Sequence, residues 1–414
     1  MGCVVVADRA SPRLSLFANR SFVLFYLGQT CSYVGDGLRL IAIPLLVYKL
    51  TGSAQSLGFT YALELLPFSL FSVLGGSFGD RLDRRRLMIG CDAVRFLVLA
   101  AFAVAYVTHA LTIGMLYGGI ALIAVCAAIF LGGQSSTIPY LLGRDNTTKA
   151  MAALIAAEQI SMTIVPPIGG ALFALVGPLP ALAINAATYG LSQLSLAATD
   201  GFGPDQPGRL PSLREIWYDV RLGFTFVFGD KALLAVTLCS SCFNFFGFMA
   251  GAVFIPFLKR EFAASDATVG WTLGIGAIGM ALGSYVAGRV PANWPFGRMM
   301  SIAYILDALF FVPAVFTHRL DVLIPFVTLA NACVAFEIAT LVGWRMRIAP
   351  EEQVGRISGV ARMISVGTTV PGAILGGHLA DAFGARLPIA VSTAGYLAIA
   401  LVYPFIGVLR RERR

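Results

Sequence analysis

The residues of this chain best suited to chemistry are acids in the middle of long apolar stretches. Glu64 lies at the centre of one stretch, with Tyr61 and Phe68 on the same helical face and no basic residue within four positions. A charge at the centre of a bilayer costs at least about 3 kcal/mol on insertion scales. A buried acid without a cation is expected to hold a proton for part of the time. Glu64 is therefore the first candidate for a proton or cation site, with a neutral structural acid as the alternative.

A polar stripe in the first apolar stretch gives a second candidate, Asp36. The stripe recurs at spacings of three and four residues, which place its members on one helical face; they are Gln29, Ser32, Tyr33, Asp36 and Arg39. One interpretation is a structural pair in which Asp36 and Arg39 neutralise each other. The other is that Asp36 exchanges Arg39 for a proton or a cationic substrate. In either case, replacing Asp36 is expected to leave Arg39 uncompensated.

Polar and aromatic residues in three further stretches complete the expected substrate cavity. Glu337 is the third candidate for proton coupling, with Asn331 on a similar level of the same stretch. Asn244 lies near Phe248 in a run that is either lipid-facing filler or the wall of a roomy apolar cavity. The residues expected to line the cavity are Gln29, Tyr33, Arg39, Tyr61, Glu158, Asn244, Phe248 and Asn331.

A dense Asp/Arg loop joins the second apolar stretch to the third. It runs Gly75-Gly76-Ser77-Phe78-Gly79-Asp80-Arg81-Leu82-Asp83-Arg84-Arg85-Arg86. Its glycines allow a neighbouring helix to approach closely, and Asp80 is expected near the start of the eleventh stretch, around residues 357–359, where a carboxylate favours a helix N-terminus. Asp92 and Arg95 follow at i, i+3 and are expected to be partners of this loop. The gating residues expected here are Gly76, Gly79, Asp80, Arg81, Arg84, Arg85, Asp92 and Arg95.

A second gating element is expected in the fifth stretch, which contains Val165-Pro166-Pro167-Ile168-Gly169-Gly170. Each proline removes a helical donor and kinks the helix, while the glycines permit tight helix contact. A kinked, closely packed helix is suited to sealing one face of a pathway. Pro166, Gly169 and Gly170 therefore join the expected gate.

Composition and charge placement indicate an integral membrane protein. Of the 414 residues, 57% are hydrophobic and 13% are charged, about half the charged share of soluble domains. Twelve stretches approach or exceed the roughly 20 residues that span a bilayer; they cover 21–48, 54–78, 87–108, 111–140, 151–176, 181–198, 231–257, 267–288, 299–316, 322–344, 357–380 and 387–408. With the N-terminus inside, 22 of the 30 Lys and Arg residues fall on the cytoplasmic side, 5 outside and 3 within the spans. This asymmetry places both termini in the cytoplasm, so the basic excess sets topology and no nucleic-acid partner is expected.

Neither enzyme chemistry nor a metal or cofactor site is indicated. The three histidines, at 109, 318 and 378, lie near the outer ends of the stretches without metal-ligand spacing. Cys239-Ser240-Ser241-Cys242 has no second cysteine pair, so buried thiols are expected rather than a metal or redox site. The chain contains no phosphate-binding loop, and an ion gradient is the expected energy source.

The sequence predicts two copies of one six-helix unit. A shift of 207 residues superimposes Gly169-Gly170 on Gly376-Gly377, Gly177 on Gly384 and Tyr189 on Tyr396. The expected domains are an N-terminal six-helix bundle at 1–198, a cytoplasmic linker at 199–230 and a C-terminal six-helix bundle at 231–414. Leu213, Ile216, Trp217, Val220 and Phe224 recur at helical spacing in the linker, which predicts an amphipathic helix.

The Asp/Arg loop resembles the signature that follows the second helix of the major facilitator superfamily. The opening stretch sharpens this resemblance through Leu16-Phe17-Ala18-Asn19-Arg20-Ser21-Phe22, Gly35-Asp36 and Pro44-Leu45-Leu46-Val47-Tyr48, which are similar to one bacterial branch that contains macrolide efflux proteins and an enterobactin exporter. The fifth stretch resembles the antiporter motif Gly-Pro-x-x-Gly-Gly, with Val165 in place of the first glycine. The resemblance implies an all-α integral membrane fold of twelve transmembrane helices in two pseudo-symmetric six-helix bundles. It also implies that Asp307 is structural, because the ninth helix is peripheral in this superfamily.

Family function implies proton-coupled efflux of a small amphipathic molecule such as an antibiotic, siderophore or metabolite. An importer or flippase of lipids or nutrients on the same scaffold is the alternative, and a membrane enzyme or sensor is the third class. The expected partners are a small-molecule substrate, protons and the lipid bilayer. The expected working unit is a monomer in the bacterial cytoplasmic membrane.

Overall fold

The computed structural model describes residues 16–203, 213–291, 294–348, 363–365 and 367–403, which form helices and the connections between them. A short 3₁₀ turn at Leu16–Ala18 precedes the first helix. The helices of the described residues are α1 (Arg20–Thr51), α2 (Ala54–Arg81), α3 (Arg84–Val107), α4 (Ile113–Leu142), α5 (Arg144–Val176), α6 (Pro178–Ala198), α7 (Leu213–Gly229), α8 (Lys231–Phe262), α9 (Asp266–Ala287), α10 (Phe296–Phe316), α11 (Leu320–Ile348), α12 (Thr369–Phe383) and α13 (Arg386–Val402).

Local capping explains where several helices begin and end. The side chain of Asn19 accepts a hydrogen bond from the Phe22 amide at the start of α1, and Asp83 accepts one from the Arg86 amide at the start of α3. Gly52 ends α1 with a φ of 63°, a left-handed conformation that glycine adopts without a Cβ penalty. This cap turns the chain back into α2 within two residues.

Helix length and composition fit a multi-pass membrane protein. Nine helices of the described residues are long and apolar enough to cross a bilayer. The other helices of the bundle are α2 with 28 residues, α6 with 21 and α13 with 17. The twelve expected stretches correspond to α1–α6 and α8–α13, which confirms the predicted twelve-helix fold. The additional helix, α7, lies in the expected linker.

In the described part of the chain, the helices pack as two groups, α1–α6 and α8–α13, which meet mainly along two pairs. Helix α2 packs against α12, and α5 packs against α9. Small residues bring these pairs together: a Cβ atom at Gly170 would lie 2.3 Å from the Cα of Gly270, and one at Gly377 would lie 2.6 Å from the carbonyl oxygen of Ala54. Both contacts lie near the end of the bundle where α1 ends and α2 begins. We call this the closed end.

Candidate functional site

A cavity of about 500 Å³ lies between the two groups of helices. Helices α1, α2 and α5 line it from the N-terminal half, and α8, α9, α10, α11 and α13 line it from the C-terminal half. Among its lining residues are four of the expected cavity residues, Tyr61, Asn244, Phe248 and Asn331, together with Pro166 of the expected gate. The wall is largely apolar and aromatic, which suits a molecule with a substantial hydrophobic part.

Four polar side chains form a hydrogen-bonded group inside the N-terminal half, which we call the Arg39 cluster. Arg39 donates from Nη1 to Glu64 at 2.5 Å and from Nε to Asp36 at 3.4 Å. Tyr189, in α6, donates its hydroxyl to the same Asp36 oxygen at 2.7 Å. The three charged side chains are only 14–22% exposed. Tyr61 lines the cavity and interacts electrostatically with Glu64, which links the cluster to the cavity.

The expectation that Glu64 lacks a basic partner is wrong. Arg39 bonds to Glu64 from α1, across 25 residues of sequence. This separation lies far outside the four neighbouring positions on which the prediction depended. The expectation that replacing Asp36 would strand Arg39 is wrong for the same reason, because Glu64 remains as its partner. One guanidinium is shared by two carboxyl groups.

The same tyrosine connects this cluster to a second buried pair, Asp92 and Arg95. Arg95 lies 3.3 Å from Asp92, and its guanidinium stands over the rings of Tyr189 and Phe130 at 5.3 and 5.0 Å. Asp92 and Arg95 were expected to pair with the Asp/Arg loop. They pair with each other and with aromatic rings on a helical face that turns into the bundle. The side chains of residues 72–81 lie outside the described residues, so pairing with that part of the loop stays a prediction.

Three of the expected cavity residues bond within the N-terminal half instead. Gln29 donates to Ser192 at 3.5 Å, and Tyr33 accepts a 2.7 Å hydrogen bond from Gln134. Glu158 interacts electrostatically with Tyr33. These polar groups stabilise the packing of α1 against α4, α5 and α6.

The Asp/Arg loop is described from Leu82 onward. Arg84 donates to the carbonyl of Phe202 at 3.1 Å and stands over the Tyr140 ring at 4.5 Å, and Arg85 donates to the carbonyl of Ala197. These arginines hold the start of α3 against the ends of α4 and α6. The backbone of α2 includes Gly76, Gly79, Asp80 and Arg81, but their side chains lie outside the described residues. Residues 357–359, the expected partner of Asp80, also lie outside them.

The proline and glycine motif of α5 lies between the halves. Pro166 lines the cavity, Gly169 faces Leu38 of α1, and Gly170 meets Gly270 of α9. The motif therefore has contacts on both sides of the boundary between the halves. Its role as a gate stays a prediction.

A polar contact that the sequence argument missed joins the halves at the closed end. Asp381, near the end of α12, accepts hydrogen bonds from the Ser53 hydroxyl at 2.6 Å and from the amides of Ala54 and Gln55 at 3.0 and 2.9 Å. Arg260, at the end of α8, donates to Asp381 and to the carbonyl of Gly52, both at 2.8 Å. We call this group the closing contact. It satisfies the first amides of α2 with a carboxylate from the opposite half.

Two acids of the C-terminal half lie on the opposite side of the cavity. Asp307 lines it, and Glu337 lies near enough to Asp307 for the two to interact electrostatically. Asp307 was expected to be a structural residue of a peripheral helix, but the structure places it in the wall of the cavity. Its helix, α10, presents one face to the cavity at Asp307 and Phe311.

The profile of the transmembrane secretion effector family matches residues 11–413, almost the whole chain. The chain belongs to this family of the major facilitator superfamily. A relative at 25% identity is the enterobactin exporter EntS of Escherichia coli O1:K1, aligned over 95% of this chain and 94% of its own. Another is the multidrug efflux pump Tap of Mycolicibacterium fortuitum, also at 25% identity, aligned over 91% of each chain.

Solved structures share the fold of this family member at low sequence identity. The nucleoside transporter NupG has a TM-score of 0.72 at 13% identity, covering 94% of this chain and 99% of its own. A bacterial homologue of the human lysosomal transporter Spinster, in an inward-facing and unoccupied conformation, has a TM-score of 0.73 at 13% identity, covering 95% and 98%. The chain is a multi-pass membrane transporter and not an enzyme. The predicted superfamily is confirmed.

Proposed function

We propose that this transporter exports a small amphipathic molecule across the bacterial cytoplasmic membrane in exchange for protons. The observation that carries the proposal is the cavity lined by both halves. Rocking of one half against the other would move access to such a cavity from one membrane face to the other. The names of the two relatives, an enterobactin exporter and a multidrug efflux pump, support export.

The proposed orientation has both termini in the cytoplasm, so that the closed end faces the periplasm. It rests on the distribution of Lys and Arg, 22 inside against 5 outside. Residues of one chain line the cavity from both halves, which supports a monomer as the working unit. A reporter fused after Arg414 should be active in the cytoplasm, and activity restricted to the periplasm would overturn the orientation.

The Arg39 cluster is the proposed coupling site. It holds two carboxyl groups and one guanidinium, so a single proton makes it neutral. Asp36 receives hydrogen bonds from both Arg39 and Tyr189, whereas Glu64 receives a single one among the described residues, from Arg39. Protonation of Glu64 therefore costs the cluster fewer bonds than protonation of Asp36. Release of Arg39 from Glu64 would loosen α1 from α2 beside the cavity, and Glu337 is the remaining candidate for coupling.

Transport in inverted vesicles with an imposed pH gradient tests the proposal. A panel of radiolabelled amphipathic compounds should include at least one that the wild type accumulates and that a protonophore releases. Glu64→Gln should abolish gradient-driven accumulation but retain exchange of labelled for unlabelled compound, because the cavity is intact. Accumulation that survives the protonophore would contradict proton coupling, and movement of a preloaded compound out of these vesicles would favour an importer.

A matched control removes an acid that lies away from the cavity. Asp321 forms an exposed pair with Arg319, so Asp321→Asn should accumulate the compound like the wild type. If Glu64→Gln also pumps at the wild-type rate, coupling does not run through Glu64, and Glu337→Gln becomes the variant to measure.

A further inference from the structure

The acid pair of the C-terminal half, Asp307 and Glu337, is buried without a counterion in the described part of the chain. Asp307 is 1% exposed and Glu337 is 4% exposed. Within the described residues, Asp307 Oδ2 and Glu337 Oε1 have no hydrogen-bond partner. Two adjacent buried carboxyl groups repel each other when both are ionised. A positive group that reaches Asp307 from the cavity would relieve this repulsion.

The internal repeat shows which residues of this half correspond to the Arg39 cluster. The shift of 207 residues places Phe246 where Arg39 stands in the N-terminal half, and Phe243 where Asp36 stands. Tyr189, which donates to Asp36, corresponds to Tyr396, which stacks on Phe243 at 4.8 Å between ring centroids. The N-terminal half thus supplies its own cation to its acids. The corresponding position of the C-terminal half supplies an aromatic ring.

Three aromatic residues line the cavity together with Asp307, and one of them, Tyr396, interacts electrostatically with it. These residues are Phe243, Phe311 and Tyr396, and we call them the aromatic wall. Phe311 meets Tyr396 edge to face at 5.7 Å, and it lies one turn from Asp307 on the same helix. A carboxylate among ring faces is suited to a cationic nitrogen that carries apolar groups, because the rings attract the charge and also bury the apolar part. A bare proton would gain nothing from the rings.

We propose that Asp307 and the aromatic wall bind the positively charged nitrogen or phosphorus centre of an amphipathic organic cation, which is the class of molecule transported. Glu337 interacts electrostatically with Asp307 and strengthens the negative potential at this point. The inference rests on the proposed function, since it names the substrate class for the same cavity.

Two ions of nearly equal size and opposite charge provide the test. Tetraphenylphosphonium and tetraphenylborate differ chiefly in the sign of their charge. Equilibrium binding of each is measured to the full chain in nanodiscs. The wild type should bind the phosphonium more tightly. Asp307→Asn should weaken phosphonium binding at least about tenfold, as expected for a lost contact to a charged group, while borate binding is retained or increased. Asp307→Glu, which keeps the charge, should restore phosphonium binding, and Asp321→Asn should bind both ions like the wild type.

Several outcomes would overturn the inference. Equal binding of the two ions by the wild type would do so without any variant, even if Asp307→Asn failed to fold. Unchanged phosphonium binding by Asp307→Asn would also overturn the inference. If that variant had in addition lost gradient-driven transport, the result would assign Asp307 to proton coupling instead. If the wild type binds the phosphonium selectively but a pH gradient does not move it across proteoliposomes, the proposed function fails while the binding assignment stands.

Discussion

The closing contact makes a quantitative prediction about the closed end. Asp381→Ala removes three hydrogen bonds between the halves, from the Ser53 hydroxyl and from the amides of Ala54 and Gln55. It also removes the bond from Arg260, which lies in the same half as Asp381. A hydrogen bond contributes about 0.5–1.5 kcal/mol net, and partly exposed charged groups lie at the low end of such ranges. The three bonds between the halves should together stabilise the closed end by about 2 kcal/mol, which corresponds to about a 30-fold change in the ratio of closed to open molecules.

Distance measurements between spin labels across the closed end provide the assay. Ala110 and His318 are exposed residues of opposite halves near this end, and cysteines there can be labelled in a chain without its native cysteines. The parent chain should give mainly the short distance. Asp381→Ala should transfer a substantial share of molecules to a longer one.

A matched control removes an acid at the same end but within one half. Asp266 pairs with Lys259 between α8 and α9, so Asp266→Ala should leave the distribution unchanged. An unchanged distribution in Asp381→Ala would refute the argument that the closing contact holds the halves together.

Two further predictions follow from the packing, and each compares a substitution with a second, milder one. Arg39→Ala leaves Asp36 and Glu64 without their cation and should lower the unfolding free energy by about 3 kcal/mol, read as thermal stability in detergent. Asp36→Asn should lower the unfolding free energy less than Arg39→Ala does, because Arg39 still pairs with Glu64. Equal stability of the two variants would contradict the hydrogen-bonded cluster. Gly170→Val puts a Cβ 2.3 Å from the α9 backbone and should abolish transport by an inserted chain, whereas Gly118→Val, whose Cβ meets no atom within 4 Å, should transport normally.

The helices could be predicted from the sequence because their length and apolarity are local properties. The first was expected at 21–48 and runs Arg20–Thr51, ending where Gly52 adopts a positive φ. The fifth was expected to begin at 151 and begins at Arg144. Its first residues are polar, so they continue the helix without continuing the apolar run that marked it.

The site could be predicted only in part, because its decisive contacts join residues distant in sequence. Tyr61, Asn244 and Phe248 were found as polar or aromatic residues within apolar helices, and they line the cavity. The Arg39–Glu64 bond joins two helices across 25 residues of sequence. It could not be predicted from the residues adjacent to Glu64 in the sequence. Asp381 meets the α1–α2 turn across more than 320 residues, and nothing in the local pattern distinguishes it from an ordinary helix-end acid.

Proton movement caused by substrate tests the central claim most directly. Proteoliposomes with an internal pH-sensitive dye report proton flux when a transported compound is added to one side. Proton-coupled export through the Arg39 cluster predicts a flux opposite to that of the compound in the wild type and in Asp321→Asn, and none in Glu64→Gln. Transport of the compound by the wild type without proton flux, or full proton flux in Glu64→Gln, would contradict it.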